Sequence, residues 1–148
     1  MTITYTGPKK MNKPIFLDTG YILALLNSRD EFHDRALQLA DEIDNQLITT
    51  EAILTEIGNA LAKPLWRELA VNTLNELRDD ESVEILSVSS ELFSKASKFY
   101  SSRTDKEWGL TDCISFIVME EKKLTDALTT DHHFEQAGFK ALLRSATK

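Results

Sequence analysis

The sequence predicts an α/β fold in which helices cover a mostly parallel central sheet. Short apolar runs that suit buried strands alternate with longer segments whose apolar residues recur at the helical period. This alternation is typical of layered α/β domains. Acidic residues also stand where predicted strands end and helices begin. Because ligands of open parallel sheets bind beyond the carboxyl ends of the strands, the same pattern predicts the place of a functional site.

The first half of the chain is expected to contain two strands and four helices. Residues 1–13 are polar and predict a disordered leader, so a single domain is expected over residues 14–148 of the 148-residue chain. Pro14–Asp18 is an apolar run that ends in an acid, which predicts the first and central strand. The following predicted elements are helices at Tyr21–Leu26 and Asp30–Asn45, a strand at Leu47–Thr49, and helices at Glu51–Ala62 and Leu65–Asp79.

The second half is organised around the stretch from Trp108 to Phe134. Its first part predicts a buried helix with Thr111 as the N-cap and Asp112 in the first turn, since a hydroxyl can accept an orphan backbone N–H. Its second part predicts a short strand that ends at Asp131. The other predicted elements are a strand at Val83–Val88, a helix from Ser89 or Ser90 to Tyr100, a polar loop at Ser101–Glu107, helical turns at Asp131–Ala137 and an edge strand at Phe139–Leu143.

Composition limits the possible classes of protein. The formal net charge of −7 argues against broad electrostatic binding to nucleic acid or to an anionic membrane, although a cluster of ion-binding acids would itself contribute negative charge. Cys113 is the only cysteine, which excludes an intrachain disulfide and a cysteine-rich zinc site. No apolar run approaches the roughly 18 residues of a membrane helix, so a cytoplasmic protein without membrane contact is expected.

Four acids stand out by their position in the predicted fold. They are Asp18, Glu56, Asp112 and Asp131. If the strands are parallel, these side chains can converge at one end of the sheet. Neighbouring carboxylates raise one another's pKa, and a hard divalent ion relieves that repulsion. Oxygen ligands select Mg²⁺ or Mn²⁺, and such an ion can hold a phosphate oxygen and activate water.

Four sequence motifs resemble those of the PIN domain in order and in spacing. They are Ile15-Phe16-Leu17-Asp18-Thr19, Thr55-Glu56-Ile57-Gly58-Asn59-Ala60-Leu61, Leu110-Thr111-Asp112-Cys113-Ile114-Ser115-Phe116 and Leu128-Thr129-Thr130-Asp131-His132-His133-Phe134. The resemblance covers Pro14 to about Leu143, and the small single-domain form is similar to VapC-type toxins, the ribonuclease halves of bacterial toxin–antitoxin pairs.

The resemblance implies a three-layer α/β/α fold and a ribonuclease that depends on Mg²⁺ or Mn²⁺. By motif match the acidic site would consist of Asp18, Glu56, Asp112 and Asp131. Asp18 and Asp112 would be direct metal ligands, and Thr19 and Thr129 match polar positions that support the carboxylates. It also implies an RNA substrate, a cognate antitoxin and a homodimer. A PIN nuclease of RNA processing and a PIN-fold binding module without catalysis remain alternatives.

Several other polar residues are further candidates for the site. His132 and His133 are expected to be solvent-facing turn residues, because no cysteine or third nearby histidine completes a zinc site. Arg103 and Lys106 are candidates for contacts with RNA phosphates, and Asp105 is expected to pair with one of them.

Two further classes share acids at the carboxyl edge of a parallel sheet. A receiver-type phospho-acceptor requires a pair of acids after the first strand and a suitably placed lysine, whereas Asp18 stands alone and Lys140 is misplaced. A phosphatase with a nucleophilic aspartate requires a second Asp two positions later, where this chain has Gly20. Both classes fit the sequence less well than a metal-dependent nuclease.

Overall fold

The computed structural model describes residues 12–145, which form five strands and seven helices. In chain order these are β1 (Ile15–Leu17), α1 (Thr19–Leu26), α2 (His33–Glu42), β2 (Leu47–Thr50), α3 (Glu51–Ala60), α4 (Pro64–Asp79), β3 (Val83–Leu86), α5 (Ser90–Ser102), α6 (Leu110–Glu121), β4 (Asp126–Leu128), α7 (His132–Gln136) and β5 (Lys140–Ala141).

The five strands form one sheet in the order β3-β2-β1-β4-β5, and every neighbouring pair is parallel. In the central strand β1, Phe16 is fully buried and is paired with Ile48 on one side and Ala127 on the other. The predicted layered α/β fold with a parallel central sheet is therefore confirmed.

The sheet reverses its direction of growth at β1. The chain adds β2 and β3 on one side of this strand and then returns to add β4 and β5 on the other. The backbone N–H of Asp18 donates to the carbonyl oxygen of Leu128 at 3.1 Å, so β1 and β4 stay together to their carboxyl ends. A crevice at such a switch point is the usual ligand site of an open α/β sheet.

Helix α6 is buried on several sides, as its broad apolar surface predicts. Phe116 packs edge-on against Trp108 and Phe134, with ring centroids 5.1 and 5.0 Å apart respectively. The ring of Phe134 also lies 6.2 Å from that of Phe16 in the central strand. This aromatic cluster joins α6, α7 and β1, so the short helix α7 is held by the core.

The N-cap prediction for α6 is wrong by two residues. The helix begins at Leu110 with Gly109 as its N-cap, and Thr111 lies within its first turn. The carboxylate of Asp112, the third helical residue, accepts a hydrogen bond from the N–H of the N-cap Gly109 at 3.0 Å, which is the backward bond of a capping box. The Thr50 and Ser89 side chains each accept an N–H of the helix that follows, so Ser89 rather than Ser90 caps the predicted helix α5.

Several predicted segments are shorter than expected, among them β3, which ends at Leu86 rather than Val88, and β5, which is limited to Lys140–Ala141. Strand β4 ends at Leu128, so Asp131 does not end a strand but is the N-cap of α7. Helix α2 begins at His33 because Asp30 forms a turn, accepting the Phe32 N–H through its carboxylate.

The predicted leader over residues 1–13 lies outside the described residues except for Asn12 and Lys13. The carbonyl oxygen of Lys13 accepts a hydrogen bond from the Asn45 side chain at 2.8 Å. Between residues 12 and 145, none of the helices is both long enough and apolar enough to cross a membrane.

Candidate active site

The four predicted acids line one cavity at the carboxyl edge of the sheet. Its volume is about 490 Å³. Its lining consists of Asp18, Thr19, Gly20, Glu56, Asn59, Ala60, Asp112, Thr130 and Asp131. Position in the sequence alone therefore identified side chains that the tertiary structure brings together.

Asp18 is the most buried acid of this cavity, with 7% of its surface exposed. The Thr129 hydroxyl donates to its Oδ2 atom at 2.7 Å. Burial raises the pKa of Asp18 to about 7, because desolvation outweighs the stabilising hydrogen bond from Thr129, and the charges of Glu56 and Asp112 add to the increase. The site thus favours a positive charge or a proton at Asp18.

Glu56 projects into the cavity from α3 and is held by Thr19. The Thr19 hydroxyl donates to Glu56 Oε1 at 2.6 Å. Burial raises the pKa of Glu56, and the charges of Asp112 and Asp131 contribute in the same direction. Since Thr19 directly follows Asp18, the first helical residue after β1 fixes an acid from another element.

Asp112 reaches the cavity from the first turn of α6. Its Oδ2 atom accepts the Gly109 N–H at 3.0 Å and lies 3.1 Å from the Nδ1 atom of His133. Burial is the main cause of the raised pKa of Asp112, and these two contacts oppose the increase.

Asp131 is held by one hydrogen bond from its backbone and one to its side chain. Its own N–H donates to Thr129 Oγ1 at 3.0 Å, and its Oδ1 atom accepts the His133 N–H at 2.9 Å. Thr129 therefore contacts both Asp18 and Asp131, and the two threonines expected to support the carboxylates lie within hydrogen-bonding distance of them.

The carboxylate oxygens of the cavity suit a hard divalent cation. In Glu56 and Asp112, the hydrogen bonds formed within the described part of the chain reach one carboxylate oxygen only, Oε1 and Oδ2 respectively. The second oxygen of each group is available to a ligand, and oxygen ligands favour Mg²⁺ or Mn²⁺. The raised pKa of Asp18 also favours a bound cation, because a nearby cation would stabilise the charged form of this carboxylate.

The prediction that both histidines face solvent is right for His132 and wrong for His133. The side chain of His132 is 57% exposed, whereas that of His133 is 18% exposed and contacts Asp112. The error follows from considering the histidines only as zinc ligands, although helical turns were predicted after Asp131. Because Asp131 caps a helix, the residue two positions later turns back toward the cavity. An Asp followed by a short helical segment was the available signal.

Gly20 allows the N-terminus of α1 to approach the loop that precedes Asp131. A β-carbon at this position would overlap Thr130 Oγ1 and lie 3.3 Å from Thr130 Cβ. A side chain here would therefore displace the loop that carries one of the acids.

The two candidate RNA-binding cations lie outside the acidic cavity. Arg103 pairs with Asp105 through two contacts of 3.0 Å and stacks over the Trp108 ring at 4.8 Å, so the expected ion pair of Asp105 is present. Lys106 lines a smaller neighbouring cavity together with His132 and His133. Contact with RNA remains a prediction for both cations.

An apolar groove lies beside the C-terminal end of α3, where Ala60 lines both this groove and the acidic cavity. Helices α3 and α4 pack against each other, and the groove is formed by their junction and the end of α1. Trp66 and Leu69 line it while 43% and 39% exposed, and Leu26 contributes from α1. Partly exposed apolar side chains in a groove are typical of a protein-binding surface.

Comparison with known families decides the classification. A sequence profile of the PIN domain matches residues 15–140, which include all four acids and most of the described structure. The chain belongs to the PIN-domain family. The resemblance of its four motifs is thereby confirmed.

Individual relatives of this PIN domain agree with that assignment. The chain is 28% identical over 125 residues to VapC20 of Mycobacterium tuberculosis, described as a 23S rRNA-specific endonuclease, and the match covers 84% of this chain and 95% of the relative. The crystal structure of VapC20, described as a sarcin–ricin loop cleaving toxin, superposes with a TM-score of 0.78 at 27% identity and the same coverage.

More distant structures share the fold. FitAcB from Neisseria gonorrhoeae matches with a TM-score of 0.64 at 19% identity, over 86% of this chain and 94% of that one. VapBC2 from Rickettsia felis, solved with a DNA fragment from its promoter, matches with a TM-score of 0.62 at 14% identity, over 86% of this chain and 96% of that one.

Proposed function

We propose that this PIN domain is a metal-dependent endoribonuclease and the toxin of a toxin–antitoxin pair. The observation that carries the proposal is the convergence of four acids from separate elements on one cavity, with Asp18 buried and its pKa raised to about 7. An unused cluster of one buried and three partly buried carboxylates would only destabilise the fold. Similarity to VapC20, an endonuclease and a toxin, supports the same conclusion.

Each acid has a distinct part in the proposed site. Asp18 and Asp112 bind the ion directly, while Glu56 and Asp131 bind it or position water. Thr19 and Thr129 hold Glu56 and Asp18 in fixed orientations. A bound Mg²⁺ or Mn²⁺ supplies Lewis-acid stabilisation of the phosphate and lowers the pKa of water. The products expected from the family are a 5′-phosphate and a 3′-hydroxyl.

The proposed substrate is a structured RNA. VapC20 is described as specific for 23S rRNA, and proteins recognise folded RNA by shape and by a few contacts. The net charge of −7 makes broad attraction to RNA weak, so selectivity for shape is the better explanation of binding.

The proposed partner is an antitoxin that inserts an apolar segment into the groove at Trp66 and Leu69. The exposed apolar side chains of this groove offer the kind of surface that receives a peptide or helix. A homodimer is also expected from the family, and size-exclusion chromatography with light scattering would test it.

The deciding experiment is cleavage of a mixed structured-RNA pool by purified protein with Mn²⁺ or with chelator. Wild type should cleave only with metal, and Asp112→Asn should lose at least about a hundredfold in rate, since electrostatic groups at a reacting centre contribute on that order. Asp79→Asn, an exposed acid at the end of α4, is the matched control and should retain full activity. Cleavage by Asp112→Asn at the wild-type rate would refute the site. An absence of cleavage by wild type would favour the binding-module alternative.

A further inference from the structure

His133 is a single side chain placed between two acids of the cavity. Its Nδ1 atom lies 3.1 Å from Asp112 Oδ2 and 3.4 Å from Asp131 Oδ2. Its backbone N–H also donates to Asp131 Oδ1 at 2.9 Å. One residue thus contacts carboxylates at the beginnings of α6 and α7.

The neighbours of Nδ1 fix its role as a donor. A carboxylate oxygen accepts hydrogen bonds, so Nδ1 carries a hydrogen when it bonds to Asp112 Oδ2. Asp112 Oδ2 then accepts two donors, the Gly109 N–H and the His133 ring. Two donors on one oxygen restrict rotation of the carboxylate and leave Oδ1 available to the cavity.

The backbone around His133 is anchored on both sides. The next residue, Phe134, is fully buried and packs against Phe16 and Phe116. Asp131, two positions earlier, is anchored through its backbone to Thr129. Because the backbone is fixed at Asp131 and at Phe134, the Cα of His133 has a defined position from which its imidazole reaches Asp112.

We propose that His133 is a positioning residue that orients Asp112 for metal binding through a hydrogen bond at Nδ1, with Asp131 Oδ2 3.4 Å from the same atom. This inference rests on the proposed function, because it concerns the same ion site. His133 acts through the Asp112 carboxylate and is not itself a ligand. Partners of metal-ligating carboxylates typically contribute ten- to a hundredfold to metal affinity or activity, on the order expected here.

The test compares substitutions that keep or remove a donor at the position of Nδ1. In His133→Asn the side-chain amide nitrogen is bonded to Cγ, as Nδ1 is, whereas in His133→Gln it lies one bond farther out. His133→Leu removes the donor. The free Mn²⁺ signal in electron paramagnetic resonance gives the dissociation constant, and cleavage of the structured-RNA pool gives the rate.

We expect His133→Leu and His133→Gln to lose at least about tenfold in Mn²⁺ affinity and in cleavage, and His133→Asn to stay within about threefold of wild type. His132→Leu is the matched control, since it removes a neighbouring imidazole that is 57% exposed and 3.6 Å from Asp131. It should behave as wild type.

The inference and the proposed function fail in different ways. Three outcomes would overturn the positioning role of His133. They are equal losses in the Asn, Gln and Leu variants, a loss in none of them, and an equal loss in His132→Leu. In each case, cleavage by wild type would still support the nuclease function. A wild type that neither binds Mn²⁺ nor cleaves RNA would overturn both. Circular dichroism of the metal-free variants establishes that they fold, and if His133→Leu does not, the comparison of Asn with Gln decides alone.

Discussion

Asp18 combines burial, hydrogen bonding and neighbouring charge in a single group. Its carboxylate has lost most of its contact with water and keeps the Thr129 hydroxyl as a donor. Desolvation dominates, so the pKa of Asp18 rises from 3.8 to about 7. The metal-free protein therefore retains a proton at Asp18 that a bound cation would replace.

The first prediction concerns stability against pH in the metal-free protein. The folded state keeps the Asp18 proton up to about pH 7, whereas the unfolded chain loses it near pH 3.8. Stability contributed by this group is therefore greatest below pH 3.8 and declines by about 4 kcal/mol as the pH rises to 7. Asp18→Asn should remove this decline and stabilise the metal-free protein at pH 7.5.

Urea unfolding in the presence of chelator, repeated between pH 4 and 8, measures this effect as the difference in unfolding free energy between wild type and Asp18→Asn. Added Mn²⁺ should reverse the order, because only wild type gains an intact ion site. A difference that does not change with pH would contradict the raised pKa of Asp18.

Helix α3 borders both the acidic cavity and the apolar groove, and helix α4 borders the groove. Helix α3 carries Glu56 into the acidic cavity, and its junction with α4 exposes Trp66 and Leu69 in the apolar groove. A partner in the groove would thus rest on the helix that holds one acid of the site. This proximity gives an antitoxin a physical route to the nuclease site.

The second prediction is that Leu69→Asp prevents capture of the antitoxin. A charge in the groove would lose its hydration when a partner covers it, at a cost of several kcal/mol. The chain would be co-expressed with the protein encoded beside its gene, and copurification would be measured. Val71→Asp is the control, since Val71 is an exposed apolar residue of the same helix that does not line the groove. Equal copurification of both variants would place the partner elsewhere.

The acidic site belongs to the molecule as a whole, because no single element contains it. Its acids come from the end of β1, from α3, from the first turn of α6 and from the N-cap of α7. All four positions exist only in the folded chain, so an ion that binds there binds the native state alone. Ion binding and folding are therefore coupled.

The third prediction is that divalent metal raises the melting temperature. At a metal concentration a hundred times the dissociation constant, binding to the native state adds about 2.7 kcal/mol. For a chain of this size this corresponds to an increase of roughly 5–10 °C. Asp112→Asn should lose this increase, and differential scanning fluorimetry with Mg²⁺, Mn²⁺ and chelator measures it. Unchanged melting of wild type would contradict a preformed ion site.

The sequence by itself determined the class of fold and the identity of the four acids. Alternating strand and helix patterns reflect local periodicity, which each segment carries independently of the others. Asp18 was identifiable because the carboxyl ends of parallel strands share one edge of a sheet, whereas Asp131 was expected at a strand end and instead caps α7. Element boundaries were less well determined. The N-cap of α6 is Gly109 rather than the predicted Thr111, and the Asp112 carboxylate bonds back to its N–H.

Only the tertiary structure decided how the acids are oriented and what surrounds them. The hydrogen bond from Thr129 to Asp18 joins residues 111 positions apart, and that from Thr19 to Glu56 joins residues 37 apart. Local sequence patterns do not encode such pairs, because they arise when distant segments pack. His133 shows the consequence most clearly. Its place between Asp112 and Asp131 follows from the burial of Phe134, which fixes α7 against a sheet and a helix that come earlier in the chain.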